Sequence, residues 1–180
     1  MKKNVVILQK PPSKVFKIDK ANITDFAVIR EIAFATWPDT YGKILSAEQL
    51  TFMLEKFYAI DSLIESSKKN QDFYLLKDIE DAVGFIAIEH FYEQKKVTRL
   101  HKLYLLPSIQ GRHAGRFIMD FIDGKARENQ SEIISLNVNK YNKAVGFYQK
   151  IGFEIISEEI INIGFGYVMD DFRMEKKMSF

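Results

Sequence analysis

Apolar positions along this chain follow two rhythms, one close to every third or fourth residue and one close to every second, and the changes of rhythm mark out its elements. A short apolar run at residues 15–18 predicts a strand. Phe26, Ile29, Ala33 and Trp37 then recur at helical spacing, with Thr24 and Asp25 as cap and first-turn acid and Pro38 as the expected stop. Ser46-Ala47-Glu48-Gln49 has the form of a capping box and opens a second helix through Leu50, Phe52, Met53, Leu54 and Phe57. Residues 61–69 predict a third, short helix. Beyond Lys69 the chain turns to aromatic and β-branched residues, so 72–77 and 82–91 predict two strands joined through the polar turn Asp78-Ile79-Glu80-Asp81. A second connection, Glu93-Gln94-Lys95-Lys96, leads to a third strand at 98–106.

That third strand ends in Leu103-Tyr104-Leu105-Leu106-Pro107, where proline cannot continue the ladder, and Gly111 and Gly115 follow in a turn. Ala114, Phe117, Ile118, Phe121 and Ile122 then share one helical face. A strand, a small-residue turn and a helix start present unpaired N–H groups that suit a phosphate, although the same pattern also serves as plain connection chemistry. Residues 133–138 predict a strand parallel to the one before the helix, as an ordinary right-handed crossover requires. Ala144, Phe147, Tyr148 and Ile151 mark a short helix over 142–151 with Gly152 as its stop, and strands at 153–161 and 166–177 flank a turn at 162–165. The order predicts an α/β (α+β) mixed sheet of about six to seven strands with a central parallel pair and helices on both faces.

Composition then narrows the function. With 180 residues, 47% hydrophobic and including 15 phenylalanines, the chain is expected to form one domain over 15–180, preceded by a tail or added edge strand at 1–14, where Pro11-Pro12 marks a break. The absence of cysteine excludes disulfides, thiolate metal sites and a cysteine acyl-enzyme, and suits a reducing compartment. A net charge of +2 is too small for counterion-driven nucleic-acid binding, and the basic run Lys95, Lys96, Arg99, Lys102 reads as a solvated turn and strand edge. The apolar run Val5-Val6-Ile7-Leu8 is too short for a signal peptide or a membrane span, so a cytoplasmic protein without membrane partners is expected. No Gly-Lys-Ser/Thr follows the glycine turn, which removes a triphosphate P-loop, and His90, His101 and His113 lack metal-ligand spacing.

Two motifs stand at linked positions: Gln110-Gly111-x-x-x-Gly115 after the proline stop, and Asn142-x-Ala144-x-x-Phe147-Tyr148-x-x-x-Gly152-Phe153. Together they resemble the GNAT superfamily of acyl-CoA-dependent N-acetyltransferases. The stretch from Gly166 to Lys176 and Trp37-Pro38-x-x-Tyr41 resemble, more loosely, bacterial polyamine or diamine acetyltransferases. The resemblance implies acetyl-CoA as co-substrate and no metal. It implies that Leu103, Tyr104 and Leu105 pair with pantetheine amides as an added strand would, and that Gln110, Gly111, Arg112, His113, Ala114, Gly115 and Arg116 hold the pyrophosphate. Asn142 would cap its helix, contact CoA or do both, and Tyr148 would be the general acid for the departing thiolate.

This chain departs from the family pattern in three places. His113 stands where the family usually has glycine, so a β-carbon there costs closeness or needs an unusual backbone angle. The Asn142–Ala144 spacing is one residue short, which leaves Tyr141 or Asn139 as alternatives for the same position. The strand reads Thr98-Arg99-Leu100-His101-Lys102 where members often carry glutamate, so the candidate bases are His101, or Glu89 through a water, and a neutral amine would need neither. Trp37, Asp39, Tyr41 and Asp170 are the candidate substrate residues, with Asp171 beside them to attract a cationic amine. The acceptor is expected to be a small-molecule or peptide amine, with a polyamine as one candidate; the alternatives are a peptide or amino-acid N-acetyltransferase and, from another class, a non-catalytic acyl-CoA sensor. Phe165, Tyr167 and Phe172 are the candidate seam of a homodimer, and core packing explains them equally well.

Overall fold

Alternation along the strands sorts side chains to two faces of one sheet, and each face carries its own helices. The computed structural model describes residues 16–179, so the expectations for residues 1–14 and for a strand start at Val15 lie outside the described residues. The strands are β1 (Phe16–Lys20), β2 (Asp72–Asp78), β3 (Asp81–Glu89), β4 (Val97–Leu105), β5 (Ile133–Asn139), β6 (Glu154–Gly164) and β7 (Tyr167–Lys177). They form one sheet in the order β1-β2-β3-β4-β5-β7-β6. Among the described residues only β4 and β5 run parallel, joined by the crossover helix α4 (Ala114–Glu128) as the sequence predicts; with α numbered along the chain, the others are α1 (Phe26–Tyr41), α2 (Ala47–Tyr58), α3 (Ile60–Lys68) and α5 (Ala144–Lys150).

On one face Leu76, Ile86, Ile88, Leu100, Ile134 and Leu136 pack with Ile118, Met119 and Ile122 of α4 and with Tyr148 of α5. On the other, Phe73, Leu75, Phe85 and Ala87 pack with Phe26, Ile29, Ala33 and Trp37 of α1, Met53 and Tyr58 of α2 and Leu63 of α3. Burying these aliphatic and aromatic side chains on both faces supplies the main drive to fold, at about 1.5–3 kcal/mol for each large one. Among the described residues, no helix is long and apolar enough to cross a membrane.

Two helix boundaries differ from the sequence reading. The cap before α1 is Asn22 and not Thr24: the Asn22 side chain accepts from Thr24 N at 2.9 Å while Asp25 accepts from Asn22 N at 2.8 Å. This reciprocal cap starts a single 3-10 turn at Ile23–Asp25 that leads into α1. Pro38 does not end α1, which continues to Tyr41. Proline deletes one N–H bond, but the turn after it is held by Gly42 N donating to Pro38 O at 2.9 Å, by Thr40 Oγ1 donating to Thr36 O at 2.8 Å, and by the Trp37 and Tyr41 rings 4.7 Å apart. At α2, Ser46 accepts from Gln49 N at 3.2 Å, but the Gln49 amide turns away and donates to Val168 O of β7 at 2.8 Å.

A bulge in β4 sets which of its side chains share a face. Ala87 of β3 faces Lys102 and Ile88 faces Leu100, so His101 is an extra residue in β4. A single inserted residue resets the two-residue alternation. Arg99 and Lys102, three positions apart, therefore stand on the same face, the one that also carries Glu89 and Ala87.

Candidate active site

The parallel pair is short. Val97 to Leu100 pair with Ile133 to Leu136, and beyond them β4 and β5 part. On its other edge β5 stays paired with β7 as far as Asn139, so the opening lies between the two parallel strands alone. Residues 101–105 thus turn a strand edge toward a cavity of about 450 Å³ that reaches both faces of the sheet.

On the α4–α5 side the wall is Leu103, Leu105, Gln110, Asn142, Ala144 and Tyr148. Gly111 and His113 both take left-handed backbone angles, φ +77° and φ 61° with ψ 13°, which brings the chain round into α4. The unusual angle expected at His113 is present, and it costs roughly 1 kcal/mol for a residue with a β-carbon. No side chain caps this helix start, so its first-turn N–H groups remain available to an anion. Gly115 lets Phe147 approach: a β-carbon there would lie 3.2 Å from the ring. Of the two arginines, Arg112 is tied to Asp78 at 2.8 Å and sits over the Phe16 ring, and Arg116 pairs with Asp120 at 3.3 Å. Asn142 caps α5 through Oδ1, accepting from Ala144 N at 2.9 Å. Asn139 also lines the cavity, whereas Tyr141 is 72% exposed and does not.

Tyr148 is buried in this wall with its ring against Phe147 and Phe153. Among the described residues no hydrogen bond takes its hydroxyl. Burial, then the Tyr41 phenol, pushes its pKa above the usual tyrosine value, so the hydroxyl keeps its proton.

Across the split, Trp37, Tyr41, Tyr58 and Tyr104 form an aromatic wall, with the Tyr41 and Tyr104 hydroxyls 3.3 Å apart. Arg99, Lys102, Asn137 and Asp171 complete it. Burial pushes the Asp171 carboxyl up to about 6, with Asp170 and Glu159 adding to the rise and Arg99 and Lys140 opposing it. Burial lowers Lys102 to about 8. His101 Nε2 lies 2.8 Å from Glu89 Oε2. Burial, Lys102 and Arg99 hold that imidazole down to about 3, so the ring is neutral and donates through Nε2–H to the carboxylate.

The structure thus brings Trp37, Tyr41, His101, Leu103, Tyr104, Leu105, Gln110, Asn142 and Tyr148 to one cavity. It leaves two of the expected substrate carboxylates elsewhere: Asp39 is exposed on α1, and Asp170 is ion-paired with Lys140 at 2.6 Å. The reason is register, because Tyr167, Met169 and Asp171 alternate onto the cavity face of β7 and Asp170 onto the other. The basic run also divides. Lys95 and Lys96 are surface residues paired with Glu93 and Glu132 at 2.9 Å each, as a solvated turn should be. Arg99 is buried and Lys102 partly buried; both line the cavity, and the reading of them as an exposed edge is corrected. Asn137 has no signature in the sequence beyond its place on a strand.

Comparison with known proteins agrees with this geometry. The family model for the acetyltransferase (GNAT) domain matches residues 43–177. An uncharacterized N-acetyltransferase of Lactobacillus delbrueckii subsp. lactis is 27% identical over 158 residues, covering 84% of this chain and 90% of that protein. The spermidine N(1)-acetyltransferase of Thermoplasma acidophilum is 25% identical over 167 residues, covering 89% and 96%. The crystal structure of the PaiA N-acetyltransferase from Thermoplasma acidophilum, in complex with coenzyme A, superposes with a TM-score of 0.75 at 24% identity over 91% of this chain and 99% of that one. A parallel strand pair that parts around a cavity, an uncapped helix start beside it and a family match over most of the described residues lead to one conclusion: the chain belongs to the GNAT acetyltransferase domain family.

Proposed function

We propose that this chain transfers an acetyl group from acetyl-CoA to the neutral primary amine of a small acceptor. The observation that carries the reading is the cavity through the β4–β5 split, with the unbonded Tyr148 hydroxyl in one wall and the Asp171 carboxyl in the other. Acetyl-CoA supplies an acyl carbonyl activated as a thioester. The open edge of Leu103, Tyr104 and Leu105 offers backbone groups to a chain of amides, and the uncapped start of α4 offers N–H groups to a diphosphate. Tyr148 Oη holds a proton for the leaving sulfur, and its raised pKa keeps that proton in place through neutral pH. Asp171, with a carboxyl near 6, is ionised at pH 7 to 8 and takes the proton of the incoming ammonium. His101 is too weakly basic for that task, and Glu89 is engaged with it.

Calorimetric titration with acetyl-CoA followed by an amine panel tests the proposal. The expected result is saturable binding of acetyl-CoA and turnover of at least one amine, with Tyr148→Phe lowering kcat about 10²-fold or more while acetyl-CoA still binds. Binding without turnover of any amine would instead support the sensor reading. A polyamine acceptor has two supports, the likeness to a spermidine acetyltransferase and the Asp171 carboxyl in the acceptor wall. Spermidine and spermine therefore belong in the panel.

A further inference from the structure

We propose that Arg99 and Lys102 form a subsite for a carboxylate on the acceptor, so that the amine acetylated by this chain belongs to an amino-carboxylate molecule. The inference rests on the acetyl-transfer reading and names its acceptor class. The β4 bulge places both cations on the face of the sheet that lines the acceptor half of the cavity. Among the described residues neither is within ion-pair distance of a carboxylate. Arg99 is only 9% exposed; its Nη1 reaches Ser135 Oγ at a long 3.4 Å, its Nε has no partner, and its guanidinium lies 5.3 Å from the centre of the Tyr92 ring. Lys102 Nζ lies 5.8 Å from the centre of the Tyr58 ring.

Two of the neighbouring acids are engaged elsewhere. Glu89 accepts from His101, and Glu159 accepts from Asn137 Nδ2 at 2.9 Å. A buried guanidinium with an unmatched N–H is costly unless an anion meets it, and its planar fork matches a carboxylate. Asp171 in the same cavity supplies the opposite charge, so the wall is built for a molecule bearing an ammonium at one end and a carboxylate at the other. A polyamine, cationic along its whole length, would set like charge against both Arg99 and Lys102.

Matched acceptors test this: lysine against cadaverine and ornithine against putrescine, with spermidine alongside, read both as kcat/KM with acetyl-CoA and as calorimetric binding to the CoA-loaded protein. The expected result is a preference of at least about tenfold for the carboxylate member of each pair. Arg99→Gln should raise KM for that member about tenfold or more and collapse the preference, with part of it kept in Arg99→Lys. Lys102→Gln should shift the ratio the same way and stands in if Arg99→Gln fails to fold. A preference for cadaverine, putrescine or spermidine in the unaltered protein overturns the subsite, as does an equal loss for both members of a pair in Arg99→Gln. If no amine is turned over, it is the acetyl-transfer reading that fails, and the binding arm still decides the subsite.

Discussion

Asp171 and Tyr148 face each other's chemistry from opposite walls, and burial raises the pKa of both, with opposite consequences. For the phenol it secures the proton; for the carboxylate it moves the loss of charge up toward neutral pH. With Asp171 titrating near 6 against 3.8 when free, kcat/KM for an amine acceptor should fall as pH drops through about 6, and a pH–rate profile of Asp171→Asn should lack that limb. The same shift carries a stability signature. The folded state binds the proton more tightly than the unfolded chain, so stability contributed by this group is present below pH 4 and is lost as pH rises through 6. Asp171→Asn should therefore raise unfolding stability by up to about 3 kcal/mol at pH 8 and by little at pH 4, as denaturant titrations at the two pH values would show. From the sequence, Asp170 and Asp171 were equivalent acids in a terminal hairpin. Only the register of β7 separates them, and a paired register belongs to two strands at once, so one strand's residues cannot reveal it.

At the scale of elements, most of the fold was legible because period and punctuation agreed: the strands, the crossover helix and the asparagine cap of α5 all carry local signals. Legibility failed where a neighbour decided. Pro38 reads as a stop, yet packing of Tyr41 on Trp37 carries α1 one turn further. Arg99 and Lys102 read as part of a solvated run because the bulge that turns them inward arises from pairing with β3. Two substitutions probe elements directly. His113→Gly removes a β-carbon from a left-handed position and should stabilise the protein by roughly 0.5–1 kcal/mol, read as a rise in Tm without loss of acetyl-CoA affinity. At Gly84 a β-carbon would lie 2.6 Å from Leu105 Cδ2 and 2.8 Å from the Tyr104 carbonyl oxygen. Gly84→Val should thus push β4 out of line, lowering Tm and raising the Kd for acetyl-CoA several-fold; unchanged binding would show that the edge at residues 103–105 is not part of the donor site.

Over the whole molecule, the sheet is two blocks, β1 to β4 and β5 to β7, whose backbones meet through four residue pairs. A ligand lying along the open edge of β4 touches both blocks and should act as a brace. Acetyl-CoA at one hundred times its Kd adds about 2.7 kcal/mol to the folded state, a Tm rise on the order of 5–10 °C for a chain of this size, measurable by thermal unfolding. Hydrogen exchange should show the gain in protection at residues 101–105 more than in β1 and β2. The extra residue in β4 also makes this fold unequally tolerant of edits. Deleting His101 would restore unbroken alternation and rotate everything on one side of it by half a turn. Either residues 97–100 would exchange their inner and outer side chains, or residues 102–105 would, so that a loss of one codon would turn part of the molecule inside out where many point substitutions would pass unnoticed.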